Sequence, residues 1–403
     1  MATRIACLCN CASQTVSLDW SAESNMGSSP SALAFCHCNA CRWTTGSLCT
    51  SYVPLKRGTQ PAPNLHGLVE YVKSMVASHW FCETCGAHVF LQLKRGDERE
   101  EKFMVARGTI TDPDFQTESI THLSLASTID GSIFGLPVRL GGALQQGGME
   151  RDKCFTGAIY TDPTGDYIPK NDPPESSSPT KTLTASCQCE GVKFLISPPD
   201  HTSNLASSPW CDVLVPYHTS TSPSAAGANP TDVKWWVCAN GTKYLAGLCA
   251  CNSCRLASGF PIQSWAFVSR SNIFKASDCS NLLTYQDFGT LKQYKSSPGV
   301  YREFCGVCGA TAFWHCDERP GVVDVSVGLL RAKTGVRAED WLHWELGRIS
   351  FEECAVDRGM VKCLKAEFSC GGGGGRGSGR VTIEYHAKPT GVGDKPSGIW
   401  TDV

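Results

Sequence analysis

The chain has no excess of charge of either sign. Its 36 lysines and arginines nearly balance 38 aspartates and glutamates, which gives a formal net charge of -2 at pH 7. No basic run or stripe is present, whereas a protein that binds nucleic acid usually carries one. We therefore do not expect nucleic acid as a partner.

Long apolar segments are also missing. No run of 18 or more apolar residues occurs, so we expect no membrane-spanning helix and no membrane partner. The first residues do not form a charged segment followed by an apolar one, as an export signal would. We expect a cytoplasmic protein, because thiols stay reduced in that compartment.

Cysteine, by contrast, is abundant, with 24 among 403 residues. Fourteen of these cysteines lie in pairs and triplets that are spaced too closely for ordinary disulfide partners. In a reducing compartment such spacing is typical of metal sites. We interpret most of the other cysteines as buried or neutral thiols.

The clustered cysteines form one pattern that occurs twice. Each copy has a Cys-x-Cys pair, then a Cys-x-Cys-x-x-Cys triplet, then a Cys-x-x-Cys-Gly knuckle. The first copy consists of Cys7, Cys9, Cys36, Cys38, Cys41, Cys82 and Cys85. The second copy consists of Cys187, Cys189, Cys249, Cys251, Cys254, Cys305 and Cys308. The repetition indicates a duplicated module.

The composition along the chain predicts four regions. We expect one module over residues 1–142, a linker rich in proline and serine over 143–180, a second module over 181–358 and a glycine-rich, flexible tail over 359–403. The two modules should therefore behave as tandem versions of one fold.

Short β-rich runs in both modules predict a mainly β fold. The clearest are residues 15–18, 89–93, 192–196, 264–268, 311–314 and 322–327. The second module also carries an insertion over about 197–244. Its Trp210, Trp235 and Trp236 either form a substrate wall or pack the insertion onto the module.

The pairs and the knuckles complement each other as metal ligands. Each supplies two thiolates, so together they make a closed, structural four-thiolate zinc site. Cys11 has the same spacing from Cys9 as Cys7 has, but we prefer Cys7 because Ile5-Ala-Cys7 parallels Ala185-Ser-Cys187.

The triplets supply only three ligands. The fourth position of zinc then stays open for water or a substrate thiol, as in catalytic zinc sites. The alternative is a second structural site that a nearby residue completes. In the first module the candidates are His37, Cys49, His79 and His88.

With these motifs the chain resembles the glutathione-dependent formaldehyde-activating (GFA) family, which includes the centromere protein V group. The matching segments are residues 35–46 and 80–86 in the first module and 248–259 and 303–309 in the second. The resemblance implies a zinc-braced, mostly β, tent-like fold for each module, with up to two zinc ions per module. It implies structural zinc at Cys7, Cys9, Cys82 and Cys85 and at Cys187, Cys189, Cys305 and Cys308, and catalytic zinc at Cys36, Cys38 and Cys41 and at Cys249, Cys251 and Cys254.

The chain departs from the family pattern at three positions. Asn10 and Glu190 replace a glycine that usually follows the Cys-x-Cys pair, and Ala250 replaces the histidine that the first module keeps as His37. These changes leave all the thiols in place.

The activity implied by the resemblance is that of a carbon–sulfur lyase or synthase. Such an enzyme joins glutathione, or another small thiol, to formaldehyde or a related electrophile. Arg42 and Arg255 would either bind a substrate carboxylate or make structural contacts. The main alternative is a non-catalytic, zinc-braced module that binds other proteins, and metal or redox buffering ranks last.

Overall fold

The computed structural model describes residues 2–20, 32–56, 58, 62–94, 102–111, 117–133, 182–214, 229–276, 278–286 and 288–370. The expected linker and the glycine run that starts at Gly371 lie outside these ranges. No helix within the described ranges is long and apolar enough to cross a membrane.

The described part of the first module is built around a five-stranded antiparallel sheet with the strand order β4-β8-β7-β6-β5. Two further pairs flank it, antiparallel β1–β2 and parallel β3–β9. The elements are β1 (Ala2–Ile5), β2 (Gln14–Ser17), β3 (Ala32–Cys36), α1 (Asn39–Thr45), β4 (Tyr52–Pro54), β5 (Leu68–Ser74), β6 (Ala77–Cys82), β7 (His88–Leu93), β8 (Lys102–Ala106) and β9 (Ser119–Leu123).

The second module repeats this plan in an enlarged form. Its main sheet has the order β12-β13-β14-β20-β19-β18-β17, with β21 parallel to β13, beside a four-stranded sheet β10-β11-β15-β16. The elements are β10 (Leu183–Ser186), β11 (Lys193–Ile196), β12 (Val237–Cys238), β13 (Lys243–Cys249), α2 (Asn252–Ser258), β14 (Gln263–Ser269), β15 (Ile273–Lys275), β16 (Asp278–Leu282), β17 (Leu291–Ser297), β18 (Val300–Cys305), β19 (Thr311–Cys316), β20 (Val322–Ser326), β21 (Leu342–Trp344) and α3 (Arg358–Cys370). The predicted mainly β fold is confirmed.

Strand β14 shows how the second module is layered. Every residue of this strand is buried, which requires cover on both faces of the sheet. Ala266 and Val268 point into the core shared with the first module. Trp265 and Phe267 point the other way, into a separate aromatic cluster, because neighbouring side chains on a strand alternate between faces.

The two modules pack against each other through reciprocal contacts. The Leu8 N–H donates to the carbonyl of Leu256 at 3.1 Å, and the Gln188 N–H donates to the carbonyl of Trp43 at 2.9 Å. Each donor lies between the two cysteines of a Cys-x-Cys pair, and each acceptor lies in the helix that contains the last cysteine of a triplet. The modules therefore meet as the halves of a two-fold dimer would.

The expectation of a flexible tail from residue 359 onward is wrong for its first part, because residues 358–370 form helix α3. Met360, Val361 and Leu364 are buried along one side of this helix. The Asp357 carboxylate accepts the N–H of Met360 at 2.9 Å, as a helix N-cap does. The same carboxylate accepts the N–H of Thr117 at 2.9 Å and so ties the helix to the first module.

Candidate metal centres

The structure brings together four thiols in the first module. The sulfur atoms of Cys7, Cys9, Cys82 and Cys85 all lie within 4.8 Å of one another. The Cys9 Sγ is 3.4 Å from both the Cys7 and the Cys82 Sγ, close to the ~3.8 Å expected between ligands of tetrahedral zinc with Zn–S bonds of about 2.3 Å. The Ala12 N–H donates to the Cys7 Sγ at 3.4 Å, which stabilises a thiolate there.

The second module has the same arrangement. Its four sulfurs also lie within 4.8 Å of one another, and they belong to Cys187, Cys189, Cys305 and Cys308. The Cys189 Sγ is 3.5 Å from Cys187 and 3.4 Å from Cys305. Val192 donates its N–H to the Cys187 Sγ at 3.3 Å, the counterpart of the Ala12 contact.

The chemistry of these groups fits a soft divalent cation. A hydrogen bond with the Cys7 thiol lowers the pKa of Cys82 far below its ordinary value, and a hydrogen bond with the same thiol raises the pKa of Cys85. The pKa values move apart because four adjacent sulfurs cannot all carry negative charge unaided. A bound cation removes this conflict, and four thiolates at tetrahedral spacing match zinc.

The turn after each Cys-x-Cys pair explains the glycine of the family pattern. Asn10 and Glu190 both have a left-handed backbone, with φ of 63° and 57°. Their N–H groups donate to the carbonyls of Cys7 and Cys187 at 3.0 and 3.1 Å. Glycine adopts this conformation without steric cost and asparagine tolerates it, but glutamate does so less readily.

The triplet of the first module converges at the start of helix α1. Cys36 ends β3, Cys38 caps the helix and accepts the Cys41 N–H at 3.4 Å, and the Cys36 and Cys41 sulfurs are 4.0 Å apart. The three sulfurs lie within 4.8 Å of one another, and no fourth ligand from the described residues joins them. Lys73 on β5 places its Nζ 4.0 Å from the Cys41 Sγ.

The four residues suggested by the sequence as a possible fourth ligand do not join the group of three sulfurs. The His37 Nε2 is 2.9 Å from the His122 Nδ1, and the His79 Nδ1 is 3.3 Å from the Tyr52 hydroxyl. Cys49 and His88 are buried in the core. Within the described ranges, the structure therefore gives no support to a second closed site in this module.

The triplet of the second module repeats this geometry. Cys249 ends β13, Cys251 caps α2 and accepts the Cys254 N–H at 3.2 Å, and the three sulfurs again lie within 4.8 Å of one another. The nearby cation is Arg302 on β18, which donates from Nη1 to the Cys254 Sγ at 3.6 Å.

Comparison with known protein families gives the family that the cysteine pattern suggests. The family model described as glutathione-dependent formaldehyde-activating enzyme matches residues 4–124 and 236–344. These two ranges make up more than half of the chain. The chain belongs to this family. No curated protein and no solved structure matches it.

The two matches agree with a tandem duplication of the GFA module. The second match begins at residue 236, near the end of the insertion. Strands β10 and β11, which flank the Cys187 and Cys189 pair, nevertheless occupy the place that β1 and β2 have in the first GFA module. The four cysteine groups and the family match fit a metal-binding protein of the GFA type.

In the second GFA module the triplet opens onto a cavity of about 120 Å³. The insertion contributes Trp210 and Asp212 to the wall, and the first GFA module contributes Leu8. Leu8 lies between Cys7 and Cys9. The closed group of four thiols in the first module therefore borders the open group of three thiols in the second.

The tryptophans of the insertion have two different roles. Trp210 lines the cavity, as the substrate-wall interpretation requires. Trp236 is fully buried, and its Nε1 donates to the Ser203 carbonyl at 3.1 Å and to the Ser269 hydroxyl at 3.0 Å. Trp235 packs edge-on against Phe267 of β14 at 5.0 Å between ring centroids. These two tryptophans hold the insertion onto the GFA module.

The arginines that follow the triplets make structural contacts. Arg255 donates from Nη1 to the carbonyls of Gly108 and Ile110 in the other module, the latter at 2.8 Å. Arg42 donates from Nη2 to the Asn39 side chain at 2.8 Å. Both arginines are buried, and burial is the main cause that lowers the pKa of each.

Sequence reasoning missed several charged residues beside the triplets, above all Lys73, Arg302 and the cavity residues Arg319 and Asp324. Arg302 stands three positions before Cys305, where the first GFA module has His79 three positions before Cys82. Aligning the two knuckles would have shown a basic side chain at this position in both modules. The other three residues have no comparable signal.

Proposed function

We propose that the protein is a zinc-dependent enzyme that forms or breaks a carbon–sulfur bond between a small thiol, such as glutathione, and formaldehyde or a related electrophile. One observation carries this proposal. Cys249, Cys251 and Cys254 have no fourth ligand among the described residues, and they line a cavity that a small molecule can fill. Reduced thiols at all four groups also favour a reducing compartment such as the cytoplasm.

In the second module Cys249, Cys251 and Cys254 would hold the metal. When bound there, zinc supplies a Lewis acid that polarises a carbonyl oxygen and lowers the pKa of a neighbouring thiol. Arg302 places positive charge 3.6 Å from the Cys254 sulfur, which stabilises negative charge on the thiolates. The largely apolar wall limits water around the reacting groups, which strengthens these electrostatic contacts.

The reaction requires one proton to move. The thiol sulfur bonds to the carbonyl carbon, the π electrons of the carbonyl go to its oxygen, and that oxygen takes up the proton that sulfur loses. Asp324 lies in the cavity wall, and burial raises its pKa to about 7. A carboxyl group with such a pKa can hold or release a proton near neutral pH.

The test is the rate at which glutathione and formaldehyde exchange with their adduct, measured by exchange NMR at neutral pH. We expect the zinc-loaded protein to accelerate exchange above the uncatalysed rate and the Cys251→Ser variant to lose that acceleration. The Cys38→Ser variant measures what the first module contributes. A wild-type protein that leaves the exchange rate at the buffer value would overturn the proposal.

A role as a protein-interaction module is the second candidate, and one surface feature favours it. The hairpin between β5 and β6 exposes Val72, Met75 and Val76, with Met75 94% exposed. Apolar side chains clustered on a surface often mark a contact site for another protein. Replacing all three with serine would abolish partner binding under this alternative and leave adduct exchange unchanged.

A further inference from the structure

Building on the proposed function, we propose that the cavity of the second module binds an electrophile with a flat, aromatic body, such as an aromatic aldehyde. Five aromatic rings lie in the cavity wall. They belong to Trp210, Trp265, Phe267, Trp314 and Phe351. Formaldehyde, which has a single carbon atom, would leave most of this surface without a contact.

At the positions that can be compared, the second module has more ring surface than the first. Trp265 and Phe267 on β14 correspond to Tyr52 and Pro54 on β4, because each residue and its counterpart stand at the same distance after the last triplet cysteine. Trp314 likewise corresponds to Leu91, since both stand one residue after a phenylalanine that pairs with a valine of the next strand. The second module has thus gained ring surface beside its triplet.

Arg319, Asp324 and Asp212 in the cavity wall each have partners within the protein. The Arg319 guanidinium lies 4.9 Å from the ring centroids of both Trp210 and Trp314, and its Nη2 donates to the Asp324 carboxylate at 2.5 Å. Asp212 accepts the Leu214 N–H and the Ser350 hydroxyl, both at 2.9 Å. These contacts hold the tryptophan rings in fixed positions.

The backbone of Phe351 gives an independent indication. This residue has a φ of 56°, in the left-handed region that bulky residues rarely adopt. Ser124 has the corresponding place in the first module, directly after the residue that pairs with the first triplet cysteine, and its φ is 57°. The second module thus places a phenyl ring in the cavity wall at an unfavourable backbone position, as is common at binding sites.

The reaction balances as it does for formaldehyde. The sulfur of the thiol bonds to the aldehyde carbon, the oxygen takes the proton that sulfur loses, and a hemithioacetal with an attached ring results. No oxidant or reductant is needed. The ring faces of the cavity would stack against the ring of the substrate, a contact that adds to the effect of burial alone.

The test uses two stable mimics of such adducts, S-benzylglutathione and S-methylglutathione, titrated into the zinc-loaded, full-length protein by calorimetry. We expect the benzyl compound to bind at least tenfold more tightly. Trp210→Ala should weaken binding of the benzyl compound by about three- to tenfold and leave that of the methyl compound unchanged. Trp210→Phe should retain most of the preference, because it keeps a ring in the wall.

Trp80→Ala is the matched control. Trp80 is half-buried, like Trp210, and its Nε1 also makes one hydrogen bond to a side chain, at 2.9 Å to Gln92 against 2.8 Å to Glu318. It lies in the first module, so its loss should change neither affinity. Equal affinities of the wild type for the two compounds, or no binding of the benzyl compound, would overturn the inference.

The two proposals fail separately. Equal binding of the two mimics overturns the aromatic cavity even where formaldehyde and glutathione are exchanged. A lack of exchange with any aldehyde overturns the proposed function even where the benzyl group is preferred.

Discussion

Gly86 of the first module lies against the ring of Phe304 of the second. A β-carbon on Gly86 would come within 2.4 Å of the Phe304 Cγ, and a β-carbon on Gly309 would come within 2.5 Å of the Phe81 Cγ. Each glycine closes the knuckle of its own module, and each ring precedes the knuckle of the other. The two closed metal groups are therefore coupled through a reciprocal contact at the module interface.

We predict that Gly86→Ala destabilises the protein by about 2–3 kcal/mol, because the methyl group meets Phe304 and the backbone is left-handed with φ of 77°. Gly241→Ala is the control, since Gly241 has a similar φ of 82° and open space around its Cα. The control should lose only about 1 kcal/mol. Urea denaturation of the zinc-loaded variants measures both values, and equal losses would contradict the interface contact.

Glu190→Gly should stabilise the protein. Glu190 has a left-handed backbone, and its ion pair with Lys193 at 3.7 Å is largely exposed, so little is lost with the side chain. We expect a gain of about 0.5–1 kcal/mol in the free energy of unfolding. Asn10→Gly, at the corresponding place, should be nearly neutral because asparagine tolerates this conformation. A loss of stability in Glu190→Gly would speak against the strain.

His88 should make the protein sensitive to acid. Burial lowers the pKa of His88 to about 4, from an ordinary value of 6.5, so the unfolded chain takes up a proton before the folded chain does. The contribution of the neutral His88 ring to the free energy of unfolding is fully present above pH 6.5 and is lost as the pH falls towards 4. At pH 5 the loss amounts to about 2 kcal/mol.

The measurement compares the free energy of unfolding of the wild type and of His88→Gln between pH 7 and pH 5. Thiol protonation affects both proteins equally, so only the difference in slope reports on His88. We expect the wild type to lose about 2 kcal/mol more than the variant over this range. Parallel pH profiles would show that His88 is not held neutral by the fold.

The open and closed metal groups should release zinc at different rates. A site with four thiolates and no free position should hold its metal more firmly than a site with three. With a competing chelator we expect two zinc ions to leave first, without loss of the circular dichroism signal, and two to leave only as the protein unfolds. Release of all four in one phase together with unfolding would contradict two classes of site.

The cysteine groups could be predicted from sequence because the ligands of each motif are close along the chain. A pair such as Cys7 and Cys9 needs only a turn to converge, and a cap such as Cys38 needs only the start of a helix. The duplication then allowed each group of one module to be checked against the other. The mainly β fold also followed from local alternation of side chains.

The cavity could not be predicted, because strands far apart in sequence build it. Arg302 meets Cys254 only once β18 has its register, and Trp314 joins Trp210 only after the insertion has packed. The interface of the two modules is equally non-local. Helix α3 was missed although Met360, Leu364 and Phe368 recur at helical spacing, and the bond of its N-cap, Asp357, to Thr117 of the other module is non-local.

The most direct test of two closed and two open metal groups is the number of zinc ions per chain, measured by native mass spectrometry on the wild type and on Cys38→Ser and Cys251→Ser. We predict four zinc ions in the wild type and three in each folded variant. Two zinc ions in all three proteins would show that the triplets bind no metal, and would contradict the account.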